Sequence, residues 1–143
     1  MTADASPDLV EVAEKLHSAA IHLLRRLRRQ DVATGQTAPR LSALSVIVYG
    51  GPLTLGALAV AEQVRPPTIT RIVAALEADG LVAREPSPAD RRVTLVRATP
   101  AGETLLHEGR RRRTAQLAGQ LAALPREDRA TLARAADLLE SLR

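Results

Sequence analysis

The apolar periodicity of this 143-residue chain changes at Gly80, and few folds accommodate that change. Before it, in RPPTITRIVAALEADG, Ile69, Ile72, Val73 and Leu76 recur at i, i+3, i+4 and i+7, the spacing of one helix face. Gly80 stands where a helix-terminating glycine belongs. After it, LVARE and RRVTLVRA are short, rich in β-branched residues and separated by a proline-containing tip, which predicts a hairpin. Upstream, PLTLGALAVAEQV predicts another short helix, with Thr54 as N-cap, Leu53 as a hydrophobic staple and Leu55, Leu58 and Ala59 facing inward. Two short helices joined by a tight turn and followed by a hairpin have the order of a winged helix.

The flanks are helical. From residue 7 to about 29, Leu9, Ala13, Leu16, Ala20, Leu23, Leu24 and Leu27 form a stripe, and the arginine-rich end suits the helix dipole. DVATGQTAP then predicts a loop, and LSALSVIVYGG a mostly buried helix stopped by Gly50-Gly51-Pro52. Thr99 caps a further helix with Pro100 in its first turn, running to about residue 124. After Pro125, Leu132, Ala135, Leu138, Leu139 and Leu142 line the inner side of a last helix. The predicted fold is mainly α, a single domain over residues 1–143: a winged helix-turn-helix lobe at about 40–103, with helices at about 7–34 and 104–143 forming a dimerisation lobe. A monomer of this size has little to cover both terminal stripes, so a homodimer is expected.

The formal net charge is +4, nearly all the cations being arginine, since Lys15 is the sole lysine. Composition alone leaves two readings open: the codon bias of a GC-rich genome, or contact with an anionic polymer, for which guanidinium is suited. Tyr49 is the sole aromatic residue, which argues against single-strand binding by base stacking. The absence of cysteine excludes disulfides and thiolate metal sites. No apolar run is long enough to span a bilayer and the N-terminus does not resemble a secretory signal, so a cytoplasmic protein with no membrane partner is expected. His17, His22 and His107 show no metal-ligand spacing, and no nucleophile–base pair, paired carboxylates or phosphate-cradling glycine loop is present. An enzyme is not expected, and no cofactor is implied.

PLTLGALA, PPTITRIVAALEADGLVARE, ADRRVTL and TPAG follow one another at characteristic spacing, and through them residues 41–102 resemble the MarR family of bacterial transcriptional regulators. Each motif is weak alone; the series is specific. The resemblance implies a homodimer of winged-helix subunits on pseudo-palindromic double-stranded DNA, usually repressing nearby promoters and often released by a small-molecule effector. The lack of cysteine removes the thiol-oxidation mode used by one branch of that family.

Residues 67–79 form the candidate recognition helix. With its apolar face occupied, Pro67, Thr68, Thr70, Arg71, Ala74 and Ala75 point elsewhere, and such N-terminal positions read base edges. Arg71 suits a guanine or a phosphate; Thr68 and Thr70 suit phosphates or thymine methyl groups; the alanines permit close approach. Thr54 is counted among the DNA-facing residues as well. Where the family often has a capping serine or threonine, this chain has Arg65, which cannot accept hydrogen bonds but can reach a phosphate. In the family, an Asp-x-Arg arrangement sends a wing arginine into the minor groove. Asp90 and Arg92 match it here, with Arg91 towards the backbone.

In the run Arg110-Arg111-Arg112-Arg113, Arg110 and Arg113 fall in line with Leu106, Leu117, Leu121 and Leu124. They either pair with acidic residues between helices, the favoured reading, or line the effector cleft that the family has between its lobes. Arg111 and Arg112 are expected in solvent. His17 and Tyr49 complete the candidate effector residues. Two other function classes remain open: a sequence-tolerant nucleoid-type DNA binder, and a winged-helix module that binds protein.

Overall fold

The computed structural model describes residues 8–142, so Pro7, where the predicted first helix begins, lies outside the described residues. Helix α1 (Leu9–Arg28) starts where the Asp8 carboxylate accepts from the Val10 amide at 2.9 Å. The expected loop after it is instead largely a 3₁₀ segment, Arg29–Thr34, ended by Gly35 at φ 70°. Its i+3 bonds carry no helical apolar period, so the sequence did not mark it. Helices α2 (Ala38–Gly50), α3 (Leu55–Glu62) and α4 (Pro66–Ala78) follow, then strands β1 (Val82–Pro86) and β2 (Thr94–Ala98). Helices α5 (Pro100–Ala122) and α6 (Arg126–Ser141) complete the chain.

One core sits where α2, α3, α4 and the hairpin meet. Ala43, Leu44, Ile47, Leu58, Ile69, Val73, Leu76 and Val96 are buried in it, and Leu106 reaches it from α5. The strands pair antiparallel, Val82 opposite Ala98 and Pro86 opposite Thr94. Leu53 is more than a staple: its amide and carbonyl bond Val96 at 3.1 and 2.8 Å, so β2 is paired on both edges.

The TPAG stretch locks the hairpin to α5. The Thr99 hydroxyl donates to the Gly80 carbonyl at 2.6 Å and accepts from the Gly102 amide at 3.1 Å, while the Thr99 amide donates to the Leu81 carbonyl at 3.0 Å. The backbones approach so closely that a Cβ on Gly102 would lie 2.1 Å from the Leu81 carbonyl oxygen. Glycine is required there by space, independently of φ.

The terminal helices contrast with this core. No residue of α1 or α6 is buried, and most stripe leucines stay exposed, Leu16 at 43% and Leu138 at 56%, with Leu23 and Leu27 half-buried. Among the described residues no helix is long and apolar enough to cross a membrane.

Candidate nucleic-acid interface

Helices α3 and α4 are joined at Gln63, which takes the left-handed conformation at φ 55° and donates to the Val60 carbonyl at 3.1 Å, while the Val64 amide reaches Ala59 at 3.1 Å. Thr54 caps α3 by accepting from the Ala57 amide at 3.1 Å. Arg65 occupies the N-cap of α4 and makes no side-chain cap bond; its carbonyl accepts from the Thr68 and Ile69 amides at 2.9 and 3.2 Å. Pro66 and Pro67 fill the first turn, where the missing N–H groups are not needed. The helix ends at Asp79, with the Gly80 amide on Glu77 and the Leu81 amide on Leu76 at 3.0 and 2.9 Å.

With Ile69, Val73 and Leu76 turned inward, α4 presents Pro67, Thr70, Arg71 and Ala74 to solvent, and Thr68 and Ala75 lie half-buried beside them. Arg71 enters none of the ion pairs among the described residues. The Thr70 hydroxyl donates to the Pro66 carbonyl at 2.9 Å, so its proton is engaged within the helix and only its lone pairs and methyl group face outward.

The hairpin tip, residues 87–93, is closed by the Ser87 amide on Val93 at 2.7 Å and the Val93 amide on Asp90 at 2.9 Å. Asp90 grips Arg92 three times: its Oδ1 accepts from the Arg92 amide at 3.0 Å and from Nε at 3.2 Å, and its Oδ2 from Nη2 at 3.2 Å. The Arg92 side chain is nonetheless 91% exposed, so it is oriented without being covered. The Arg92 guanidinium, and then its amide, hold the Asp90 carboxyl below the usual carboxylate range. Arg91 is exposed next to them. Two further pairs brace the wing: Arg84 to Glu77 of α4 at 3.2 Å and Arg97 to Glu85 at 2.8 Å.

The four candidate effector residues fall in three places. Arg113 pairs with Asp31 of the 3₁₀ segment and lines a cleft of about 330 Å³ between α1, α2 and α5, alongside Leu24, Leu27, Ser42 and Leu106. At Arg113 the favoured pairing with an acidic residue is present, and the same guanidinium borders the cleft. Arg110 is exposed and donates to the Tyr49 hydroxyl at 3.5 Å, and Tyr49 meets His107 edge-on with ring centres 6.2 Å apart. His17 lies on α1 beside Leu9, Val10 and Ala13, away from the other three. Arg112 departs from expectation: it is half-buried, and its Nε is shielded with no hydrogen-bond partner among the described residues. It lies against Thr34 and Leu105, in the groove where α5 meets the 3₁₀ segment, and the run of four arginines gave no sign of that neighbour. Asp31, Glu77, Asp79 and Arg84 also escaped the sequence reading, because their partners are fixed only by the fold.

Residues 37–94, which hold this helix-turn-helix and most of the hairpin, match the family described as MarR. An HTH-type transcriptional regulator of Mycobacterium tuberculosis is 40% identical over 92% of this chain and 92% of its own length. The chain belongs to the MarR family. It is a helix-turn-helix transcriptional regulator and not an enzyme. A solved MarR family protein from Bacillus stearothermophilus superposes with a TM-score of 0.78 at 27% identity, covering 92% of each chain. An S. aureus MepR mutant bound to an oligodeoxyribonucleotide shares the fold, with a TM-score of 0.70 at 18% identity over 92% of this chain and 98% of that one.

Proposed function

We propose that this MarR-family regulator is a homodimeric repressor of a pseudo-palindromic duplex operator, released when a small molecule occupies the cleft between its lobes. The wing carries the reading furthest: three hydrogen bonds from Asp90 orient an arginine that is 91% exposed. A guanidinium fixed in this way before binding loses less rotamer freedom on entering a minor groove, whose narrow stretches attract it. The α4 face adds Pro67, Thr68, Thr70, Arg71 and Ala74 for the major groove, and Arg65, Thr54 and Arg91 are suited to phosphates. The oligonucleotide held by the MepR mutant of the same fold supports DNA as the partner.

The exposed stripes of α1 and α6 support the homodimer, since apolar lines of this length are covered by a second surface in most soluble proteins. Two copies would set their α4 helices about one duplex turn apart, roughly 34 Å. The cleft lined by Arg113 supports an effector, and its guanidinium suits an anionic one. Cytoplasmic residence follows from work on chromosomal DNA.

A gel-shift titration on the promoter region of its own gene, against scrambled DNA at matched salt, tests the reading. Preference for the promoter is expected, with severe loss of affinity in Arg71→Ala and Arg92→Ala. Equal affinity for both DNAs rejects it in favour of a nucleoid-type binder held by counterion release. Full activity in both arginine variants favours a protein-interaction module.

A further inference from the structure

Four hydrogen bonds run end to end from α5 to the C-terminus of α4, through residues that touch neither the wing nor the outer face of α4. Arg113 donates to the Asp31 carboxylate. The Asp31 carbonyl accepts from the Thr34 hydroxyl at 2.5 Å, and that hydroxyl accepts from the Gln36 amide at 3.1 Å. The Gln36 side-chain amide then donates to Oδ2 of Asp79, the last residue of the α4 cap, at 2.7 Å. We infer that residues 31–36 are a coupling element, with Asp31 and Gln36 as positioning residues that set the angle of the DNA-reading helix against α5. The inference rests on the reading of α4 as the DNA-reading helix.

The physical case comes from what else holds α4. Its inner face is fixed by Ile69, Val73 and Leu76 in an apolar core. Such packing is strong but non-directional, so it opposes removal of the helix more than a small rotation about its axis. Directional ties are confined to the C-terminal end, Glu77 to Arg84 on one side and Asp79 to Gln36 on the other. The first tie leads to the wing, which belongs to the same lobe. The Thr99 bonds to Gly80 and Leu81 also tie the backbone just beyond α4 to the start of α5. Only the Asp79–Gln36 tie, however, starts from a side chain of the α4 cap and ends, through Arg113, in the wall of the cleft. The segment itself has little freedom: its short 3₁₀ turns, the Thr34 hydroxyl bonded on both sides and the close seat of Thr34 against α5 let it move as a unit. Thr34 Cγ2 lies 3.8 Å from where a Cβ on Gly109 would sit. Site geometry for base reading tolerates displacements of only about half an ångström, so a modest rotation at Asp79 is enough to matter.

The test is a double-mutant cycle read as affinity for the promoter fragment that the wild type prefers, with scrambled DNA as control and thermal unfolding measured in parallel. Asp31→Ala and Gln36→Ala are each expected to weaken promoter binding about 5- to 20-fold. The double variant should be no weaker than the weaker single, because either change opens the same chain of bonds. Scrambled DNA should be bound no less tightly, since every basic residue is retained. Gln36→Glu should behave as Gln36→Ala, and adding Asp79→Asn to it should restore affinity by rebuilding the bond with the donor on the other side. That rescue separates positioning from a general loss of structure, even where Asp31→Ala folds poorly. Losses that multiply in the double variant, losses shared by scrambled DNA, or failure of the rescue overturn the coupling while leaving the regulator reading intact. A wild type that does not prefer its promoter removes the regulator reading, and the coupling with it.

Discussion

Leu76 of α4 and Leu138 of α6 stand at equivalent positions, each on the inner line of an amphipathic helix. The first has lost all contact with solvent and the second is 56% exposed. Their sequences do not explain the difference, because both stripes have leucines at helical spacing. The connections do. Helices α2, α3 and α4 are joined by short turns and backed by a hairpin, so five elements converge on one centre. Helices α1 and α6 extend from opposite ends of the chain, and α1 packs only along one side, against α5 and the 3₁₀ segment, while neither buries a residue. One lobe closes its apolar surface with its own chain, and the other leaves Leu9, Leu16, Leu24, Leu132, Leu138 and Leu139 exposed.

The contrast can be broken by truncating both leucines. Leu76→Ala is expected to cost ~2–5 kcal/mol of unfolding free energy, the same at every protein concentration. The cost of Leu138→Ala should grow with protein concentration, because only an associated stripe has burial to lose. Urea melts at widely separated concentrations measure both. A Leu138→Ala cost that ignores concentration would mean that α6 is finished within its own chain.

The border between the lobes gives a sharper, smaller test. Gly102→Ala forces a methyl group into the Leu81 carbonyl and is expected to cost ~1–3 kcal/mol. Two turns further along α5, a Cβ at Gly109 would meet its neighbours at 3.7 Å or more, an ordinary contact. Gly109→Ala should therefore be neutral, or stabilising by up to ~1 kcal/mol through reduced chain entropy. Equal melting temperatures for the two variants would show that the border yields easily.

The smallest effect is expected at the wing tip, which belongs to the closed lobe in sequence but packs like neither region. Arg92→Ala should lower the unfolding free energy only slightly, because the pair is exposed, and should leave association unchanged. It should raise the Asp90 pKa towards the ordinary aspartate range, leaving only the backbone bond to lower it. The sign follows from a folded-state pKa held below its unfolded value: the pair contributes at neutral pH and is lost only as pH falls through that lowered value. Carbon NMR titration of the Asp90 carboxyl reads this directly. An unchanged Asp90 titration in the variant would mean that the pair does not form in solution.

What was legible in the sequence shares a physical character with what was not. The caps at Thr54 and Thr99, the end of α4 at Gly80 and the inward residues of α4 are local, set within four or five positions by helix geometry. The Asp90–Arg92 contact was legible for the same reason, the two being two residues apart, though the resemblance pointed to it. Asp31 and Arg113 are 82 positions apart, and nothing in either neighbourhood names the other. Gln36 and Asp79 are 43 apart and equally silent. Arg112 shows the same limit from the other side: a charge run predicts solvent, while the half-buried position of one member depends on where the 3₁₀ segment happens to lie. Tyr49, Arg110, Arg113 and His17 lie on three surfaces because the rotation of each helix, which sequence gives only roughly, decides where its side chains point.

Tyr49 stands edge-on to His107 with Arg110 at its hydroxyl, and the chain has no tryptophan or phenylalanine. All of the protein's near-ultraviolet emission therefore originates at one point, where α2 meets α5. A histidine ring and a guanidinium are in position to quench it. Any shift in that emission on adding DNA or a small molecule is a report from the seam between the lobes, obtained without attaching a dye.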